Sequence, residues 1–339
     1  MSKFARPKKL VFCNNKGGVG KTTLAFNCAV NFAKKGFKTA LIDLDPQCNL
    51  TLQSLGPNFY SNTLFSNSDK TIYDILKPKI EGSGDIDNGV ELRKIRDNLF
   101  ILPGDNQLSL FENLLLSSYN QATAGELRGY SDTSAIDRYL NEIGASESID
   151  IFVIDTSPSL GVLNRIIFLG VDYFVVPLNP DSFSLQGIKN LGPVFEAWKK
   201  VWANTARAVA VSGNTPSNHV LKGDALFIGY VINNFTVYGK KIIKSQRDWE
   251  DNIPSEVKKF LSEKHGRNGL VEKSWRNPLG ELQNYGQLAL RSMDSNLAIE
   301  EFSQDMINSL PVGTTELYEK ALKEINYLSD NILEVLKEY

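Results

Sequence analysis

A short glycine-rich segment carries the clearest chemistry in the sequence. Residues 14–23 are Asn-Asn-Lys-Gly-Gly-Val-Gly-Lys-Thr-Thr, and they lie between an apolar run at 9–13 and a helical pattern at 21–35. Glycines allow backbone N–H groups to curl around phosphate oxygens, and a helix N-terminus adds a favourable dipole. We therefore expect a phosphate-binding loop in which Lys21 contacts the β- and γ-phosphates and Thr22 binds Mg²⁺.

Two further segments place carboxylates at the ends of apolar runs. Asp43 and Asp45 follow the apolar residues 40–42, and Asp155 follows four apolar residues at 151–154. The second arrangement is typical of a Walker B strand, whose aspartate holds Mg²⁺ directly or through water. A strand-end Asp-Pro pair alone is more often a turn. The prediction for Asp43 and Asp45 therefore depends on their combination with the phosphate loop.

A parallel sheet would bring these segments together. Short β-rich runs alternate with helical patterns, and several runs are apolar throughout, which indicates strands buried on both faces. The expected strands are 9–13, 39–43, 99–102, 151–155, 173–177 and 226–232, and the expected helices are 21–35, 71–76, 160–170, 185–201 and 315–337. The alternation predicts an α/β fold with a doubly wound, mostly parallel sheet flanked by helices. Ligands of such sheets bind at the carboxyl ends of the strands.

Polar stretches between these elements are interpreted as insertions in a single domain that covers residues 1–339. The insertions lie at about 56–98, 117–133, 203–223 and 262–286. The tail at 315–337 has apolar residues at helical spacing and more acidic than basic residues. An acidic face is repelled by anionic lipid and by DNA, so we expect the tail to pack on the body or on a partner. We expect no membrane binding.

The composition excludes several classes of protein. Lys and Arg number 37 against 39 Asp and Glu, a formal net charge of −2, which excludes a globally basic nucleic-acid binder but not a local basic patch. The 3 cysteines contain no CxxC pair, which argues against a disulfide framework or a zinc site. The N-terminal apolar run is too short for a signal peptide, and no stretch is apolar enough to span a membrane. These features predict a cytoplasmic protein.

The phosphate loop departs from the ordinary GxxxxGK[ST] pattern. Asn15 stands where that pattern has glycine, and a second lysine, Lys16, precedes the glycines. This arrangement closely resembles the deviant Walker A motif of the ParA/MinD family of P-loop ATPases. The resemblance implies a P-loop NTPase fold of the SIMIBI type, with ATP and Mg²⁺ as cofactors. The implied nucleotide contacts are Lys16, Gly17, Gly18, Val19, Gly20, Lys21, Thr22, Thr23 and Asn233.

Lys16 is the residue that distinguishes this family. In the family, the extra lysine reaches across an ATP-sandwich dimer to the partner's bound phosphates. Carried to this chain, the resemblance implies that Lys16 completes the other subunit's site, as an arginine finger does. The alternative is a solvated loop lysine. Lys21 and Asp45 would complete the catalytic set, with Asp45 orienting the attacking water.

Two carboxylate segments extend the resemblance. Residues 40–49 resemble the family's switch I, which places Asp43 close to the Mg²⁺ shell. Residues 155–161 resemble switch II, with Ser157 in place of a proline. The implied metal residues are Thr22, Asp43 and Asp155.

Later segments indicate the branch of the family. Residues 175–187 resemble the partition branch, and 230–234 resemble the strand end where the family often contacts adenine. Asn233 is therefore the candidate for the base, although an Asn after a strand is commonly a turn residue. Paired cysteines of the iron–sulfur branches, the tyrosine-clustered tail of the kinases and the basic tail helix of MinD are all missing. The chain most closely resembles the ParA/Soj branch. Because the first strand is expected near residue 9, we expect no N-terminal helix-turn-helix.

One basic cluster is the candidate for DNA contact. Partition ATPases of this family bind DNA nonspecifically as ATP-bound dimers. The cluster comprises Lys240, Lys241, Lys244 and Arg247, and residues 240, 244 and 247 would share one face of a helix. Several clustered cations suffice for phosphate binding. The alternative is a solvated charged face.

The leading hypothesis is a ParA-like ATPase that dimerises on ATP and positions a plasmid, chromosome or protein cargo. A ParB-like or other adaptor would stimulate hydrolysis, and nonspecific DNA would place the protein at the nucleoid. The alternative is a regulatory or MinD-like positioning scaffold that uses ATP-dependent dimerisation as a switch, with no role in DNA partition. A metabolic enzyme with the same P-loop, such as an amidoligase relative, would need a substrate site that the sequence does not show.

Overall fold

The computed structural model describes most of the chain. The described residues are 3–59, 70–212, 215–235, 237–238, 241–242, 252–267, 273–274, 276–311 and 314–339.

An eight-stranded sheet forms the centre of the molecule. Its strands are β1 (Lys8–Phe12), β2 (Thr39–Leu44), β3 (Arg93–Arg96), β4 (Leu99–Leu102), β5 (Ile151–Thr156), β6 (Tyr173–Leu178), β7 (Leu226–Phe235) and β10 (Gly280–Gln283). They lie in the order β10-β7-β6-β1-β5-β2-β4-β3, and every neighbouring pair is parallel except β3 with β4. A separate antiparallel pair contains β8 (Val237–Tyr238) and β9 (Lys241–Ile242).

Helices cover both faces of the sheet. They are α1 (Lys21–Lys34), α2 (Asn49–Leu55), α3 (Ile72–Ile80), α4 (Leu108–Thr123), α5 (Leu127–Thr133), α6 (Ala135–Ser146), α7 (Val162–Gly170), α8 (Ser182–Ser212), α9 (Ile253–Val257), α10 (Glu263–His265), α11 (Gln287–Ser295), α12 (Gln304–Asn308) and α13 (Thr314–Glu338). Buried side chains of α1, α2, α11 and α13 share one apolar core, and those of α3 to α9 share the other. The doubly wound, mostly parallel α/β fold expected from the sequence is confirmed.

Alternate residues of the central strands enter the two cores. In β5, Phe152 and Ile154 belong to one core, whereas Ile151 and Val153 belong to the other. Because side chains alternate across a strand, a strand covered by helices on both faces must be apolar throughout. This requirement explains why every residue of β5 and β6 is buried.

The C-terminal helix packs on the body of the protein. It buries one stripe of side chains, Tyr318, Ala321, Ile325, Leu328, Ser329, Ile332, Leu333 and Leu336. It contacts α1 and β10, so its apolar face is used within the chain. None of the helices in the described part of the chain combines the length and apolarity that a membrane span needs.

The segment 117–133, interpreted from its polarity as an insertion, is mostly helical and contributes buried side chains. It lies in α4 and α5, where Tyr119 and Tyr130 are buried. Their rings pack against Trp202 with centroids 5.9 and 6.3 Å away. Widely spaced apolar residues on polar helices are sufficient to bury one side, and composition alone does not reveal this spacing.

Regular structure also occupies parts of the other polar stretches. Strand β3 lies in the segment 56–98, and β10 lies in 262–286. Helix α8 runs to Ser212 and therefore enters the segment 203–223. Both strands are short, with only four residues each. Such short strands give little periodicity for sequence analysis to detect.

Burial of His265 predicts a pH-dependent stability. Its Nε2 lies 3.1 Å from the Gly192 carbonyl oxygen, and its ring packs edge-on against Phe174 and Phe195. Burial lowers the pKa of His265 to about 4, so the unfolded chain binds a proton that the folded protein excludes. The stabilisation is present above about pH 6.5 and declines as the pH falls towards 4.

We expect the titration of His265 to lower the free energy of unfolding by about 2 kcal/mol as the pH falls from 7.5 to 5. The measurement compares urea unfolding of the wild type with that of His265→Gln, which can still donate a hydrogen bond to the Gly192 carbonyl. Between pH 7.5 and pH 5, the free energy of unfolding of the variant should fall by about 2 kcal/mol less than that of the wild type. Equal losses in the two proteins would show that His265 does not control this pH dependence.

Candidate functional site

The sheet brings most of the predicted site residues to one edge. The phosphate loop follows β1, Asp43 lies in β2, Asp155 in β5 and Asn233 in β7. Asp43 and Asp155 are direct neighbours in the parallel register of β2 and β5. A cavity of about 330 Å³ at this edge is lined by Gly17, Gly18, Gly20, Lys21, Thr22, Thr23, Asp45, Asn49, Gln53, Thr156, Pro158 and Met293.

The loop backbone requires glycine where it meets β7. Gly20, immediately before α1, has φ 83° and ψ 22°, a left-handed conformation that favours glycine. The Asn233 side chain donates from Nδ2 to the Val19 carbonyl oxygen at 2.9 Å. A Cβ atom on Gly20 would lie 2.1 Å from that same Nδ2. The close approach of Asn233 therefore fixes both the loop and the identity of residue 20.

Thr22 and Asp155 form the part of the site that fits a divalent cation. The Thr22 hydroxyl donates to Asp155 Oδ2 at 2.7 Å. Asp155 is fully buried, and its Oδ1 has no hydrogen-bond partner among the described residues. Burial raises the pKa of this carboxyl, and the neighbouring Asp43 raises it further. A cation at Asp155 would relieve both penalties, so these residues fit Mg²⁺.

The protein supplies few ligands for such an ion. In the ranges that the structure describes, no group of three His, Cys, Asp or Glu side chains could hold a metal. Mg²⁺ commonly binds through one or two protein groups, with phosphate oxygens and water as the remaining ligands. The geometry therefore suits an ion that arrives with a phosphate compound.

Asp43 is held firmly beside Asp155. Its Oδ2 accepts hydrogen bonds from the Thr51 backbone N–H and hydroxyl at 2.8 and 2.6 Å, and its Oδ1 accepts from the Asp45 N–H at 3.2 Å. The Thr51 hydroxyl also accepts from the Gly104 N–H at 2.8 Å. Burial raises the pKa of Asp43. Asp43 thus connects β2 to the start of α2 and to the end of β4.

Asp45 follows β2 and lines the same cavity as the loop glycines. It is 5% exposed, and its Oδ1 accepts from the Gln47 N–H at 2.9 Å. Helix α2 begins shortly afterwards, after Cys48 adopts φ 56° and ψ 31°. Asp45 and Lys21 thus come from different segments of the chain to line one cavity.

The ammonium groups of the two loop lysines have different partners. Lys21 is 7% exposed and lines the cavity, and its Nζ donates to the Lys16 carbonyl oxygen at 3.3 Å. The Lys16 ammonium group pairs instead with Asp181, at the start of α8. Lys21 is therefore available to a ligand of its own loop, whereas Lys16 is directed away from that cavity.

A second cavity of about 290 Å³ also borders the loop glycines. It shares Gly18, Gly20, Thr23 and Met293 with the first cavity. Its remaining lining is mostly apolar and includes Leu24, Leu282, Tyr285, Leu290, Ile299, Ile325 and Leu328, with Asn27, Asn233 and Asn284 as polar members. Residues of the segment 18–23 therefore border both cavities, one with charged and hydroxyl side chains and the other mostly apolar.

The predicted DNA-contact cluster lies largely outside the described residues. Lys240, Lys244 and Arg247 are among those not described. Lys241 lies in β9, where it pairs with Tyr238, so at this position the chain is a strand and not the expected helix. The prediction of DNA contact by this cluster remains a prediction.

Several residues that hold the site were not singled out from the sequence. Thr51 and Asp181 contact Asp43 and Lys16, as described above. Asn164 donates from Nδ2 to the carbonyl oxygens of Ser157 and Ser159, each at 2.8 Å, and so holds the segment after Asp155. A polar residue at the first turn of a helix after a site strand is the signal that could have indicated Asn164.

Comparison with known proteins identifies the family. Residues 7–208 match a family model described as an AAA domain. A ParA family protein of the Chlamydia psittaci virulence plasmid is 33% identical over 187 residues, 54% of this chain and 61% of that protein. The chromosome-partitioning ATPase Soj of Treponema pallidum is 30% identical over 208 residues, 61% of this chain and 69% of Soj. The chain belongs to the ParA/MinD-type P-loop ATPases, a partition-related family.

A solved structure shows the same fold. It is that of a Borrelia burgdorferi protein assigned to plasmid partition, bound to AMPPNP. The match covers 97% of this chain and 99% of that chain, with a TM-score of 0.54 and 17% identity. At this identity the likeness concerns the fold alone. Among the sequence relatives, the ParA family protein of the Chlamydia psittaci plasmid is matched over less than two thirds of its own length.

Proposed function

We propose that the protein binds ATP with Mg²⁺ and hydrolyses it as a partition-type ATPase. The observation that carries this proposal is the convergence of the phosphate loop, the Thr22–Asp155 pair and the Asp45 carboxylate at one sheet edge. Such a set is typical of P-loop NTPases. Membership of a partition-related ATPase family supports ATP as the nucleotide.

The two cavities would accommodate different parts of ATP. The phosphates would lie against residues 17–20 and Lys21, where backbone N–H groups and the ammonium group neutralise negative charge. The base would enter the second cavity, where Asn233 offers polar atoms beside apolar walls. Both cavities share the loop glycines, so one molecule of ATP can span them.

Hydrolysis would depend on the residues around the γ-phosphate. Thr22 and Asp155 would hold Mg²⁺, which when bound supplies positive charge to the phosphate oxygens. Asp45 would orient a water molecule for attack and receive a proton from it. Asp43 would keep Asp45 in place through its hydrogen bond to the Asp45 N–H.

A second copy of the chain would complete this site. Lys16 does not lie over its own cavity, and we infer that it contacts the phosphates bound by the partner subunit. Each ATP in the dimer would then receive one lysine from each subunit. A developing charge on the transferred phosphoryl group would be stabilised by both lysines.

The ATP-bound dimer would then act in positioning a plasmid, chromosome or protein cargo. A ParB-like or other adaptor would stimulate hydrolysis and separate the dimer, and nonspecific DNA would be the matrix. The net charge of −2 and the acidic tail helix favour a second candidate, an ATP-dependent switch without DNA. Binding of random-sequence duplex DNA with ATP but not with ADP would support the first candidate, and its absence would support the second.

Replacement of Lys16 tests the dimer directly. The wild type is expected to sediment as a monomer with ADP and as a dimer with ATP. Lys16→Ala should still bind ATP, but its dimer should be weaker by about 100-fold or more, because two charge-assisted hydrogen bonds are lost. Sedimentation velocity over a concentration series provides the measurement.

The matched control is Lys77→Ala, which removes a half-exposed lysine from α3. This control should dimerise like the wild type. Normal ATP-dependent dimerisation of Lys16→Ala would exclude a role for Lys16 across the interface.

A further inference from the structure

Lys16 is held to its own chain by two residues at the start of α8. Its ammonium group forms an ion pair with Asp181 and lies 5.7 Å from the centroid of the Phe183 ring. The side chains of Lys16 and Asp181 are 25% and 36% exposed, and Phe183 is 73% exposed. We call these three residues the latch. The latch holds the lysine outside the cavity of its own loop, near the protein surface.

The acidic end of the latch is fixed in position. Asp181 Oδ1 accepts from the Ser184 N–H at 2.8 Å, within the first turn of α8. The Ser184 hydroxyl in turn accepts from the Asn179 N–H at 3.0 Å. With Oδ1 engaged in this way, Oδ2 is left for Lys16. Asp181 therefore presents its negative charge from a rigid turn.

The lysine end is tied to the same region. Asn14 Nδ2 donates to the Pro177 carbonyl oxygen at 2.7 Å, and Asn14 Oδ1 accepts from the Lys16 N–H at 3.0 Å. The backbone of Lys16 is thus anchored to the end of β6, one turn before Asp181. The flexible Lys16 side chain can therefore move from the Asp181 carboxylate to another anion while its backbone stays in place.

We propose that Asp181 is a positioning residue that holds Lys16 at rest and releases it when the ATP-bound dimer forms. This inference rests on the proposed function, in which Lys16 contacts the partner's phosphates. The ammonium group cannot bind Asp181 and those phosphates at once, so each subunit must open its latch on dimerisation. Asp181 therefore raises the protein concentration at which ATP drives the dimer.

The expected size of this effect follows from the exposure of the ion pair. A partly exposed pair shifts an equilibrium by about threefold. Because a symmetric dimer opens two latches, loss of both should strengthen dimerisation by about tenfold. ATP binding by the monomer should not change, since Lys16 lies outside its own cavity.

The variant Asp181→Asn distinguishes the role of the Asp181 charge from its role as a helix cap. Asparagine keeps an oxygen for the Ser184 N–H and is an equally good cap, but it lacks the charge that holds Lys16. We expect its dimer with a nonhydrolysable ATP analogue to form at about tenfold lower concentration in sedimentation experiments. Added NaCl should reduce this difference, because salt screens the wild-type ion pair.

Two matched variants complete the test. Asp181→Glu retains the charge and should dimerise at nearly the wild-type concentration. Ser184→Ala removes the hydroxyl of the turn without removing charge, and it too should match the wild type. The latch proposal would be wrong if Asp181→Asn dimerised no more strongly than the wild type. It would also be wrong if Ser184→Ala strengthened the dimer as much as Asp181→Asn. A wild type that stays monomeric with the analogue would overturn the proposed function and this inference together.

Discussion

Replacing Asp45 with asparagine is expected to lower ATP turnover by about 100-fold or more while leaving ATP binding and dimerisation intact. Asp45 lines the cavity from the segment after β2, which is separate in sequence from the phosphate loop. Asparagine can still accept the hydrogen bond from the Gln47 N–H that orients this side chain. The change therefore removes the proton acceptor with little change in shape. Phosphate release measured at saturating ATP gives the rate.

The effect of Asp45→Asn should appear as a trapped dimer. The variant should remain dimeric long after the wild type has consumed its ATP and returned to monomer. Asp97→Asn is the matched control, because the Asp97 side chain is 97% exposed and lies in the turn between β3 and β4. Turnover within about twofold of the wild type in Asp45→Asn would exclude Asp45 as the catalytic carboxylate.

Replacing Lys21 with methionine is expected to weaken ATP binding by about 100-fold, equivalent to about 3 kcal/mol. Lys21 lines the cavity of about 330 Å³ in which we propose that the phosphates bind. Methionine fills a similar volume but offers no charge or hydrogen bond to a phosphate. Titration of a fluorescent ATP analogue measures the loss, and turnover should fall with it.

A control separates ligand binding from folding. Burial lowers the pKa of Lys21, so the folded protein does not favour its charged form. Lys21→Met should therefore unfold in urea at a concentration no lower than the wild type. Lys34→Met, at the exposed end of the same helix, should bind ATP normally. Full ATP affinity in Lys21→Met would mean that the phosphates bind elsewhere.

The central sheet could be predicted because its strands must be apolar on both faces. All six strands expected from the sequence are present, including the fully buried β5 and β6. The phosphate loop could be predicted because its glycines, lysine and hydroxyl form one local segment. The edge at which Asp155 meets Thr22 then followed from the parallel topology.

The residues that hold the site could not be predicted in the same way. Lys16 and Asp181 are 165 residues apart in sequence, and their ion pair depends on the fold placing β1 beside β6. Thr51 is indistinguishable from any helix threonine until Asp43 is seen to accept its two hydrogen bonds. Local patterns identify groups that carry chemistry, whereas their partners depend on distant parts of the chain.

The central claim is that each active site combines residues of two chains, and mixing two inactive variants tests it most directly. Lys16→Ala lacks the lysine given to the partner, and Asp45→Asn lacks the carboxylate of its own site. In a mixed dimer, the Asp45→Asn subunit would supply Lys16 to the intact site of its partner. Mixing should restore up to about a quarter of wild-type turnover, since each mixed dimer holds one complete site. Turnover of the mixture equal to the sum of the separate variants would contradict the shared site.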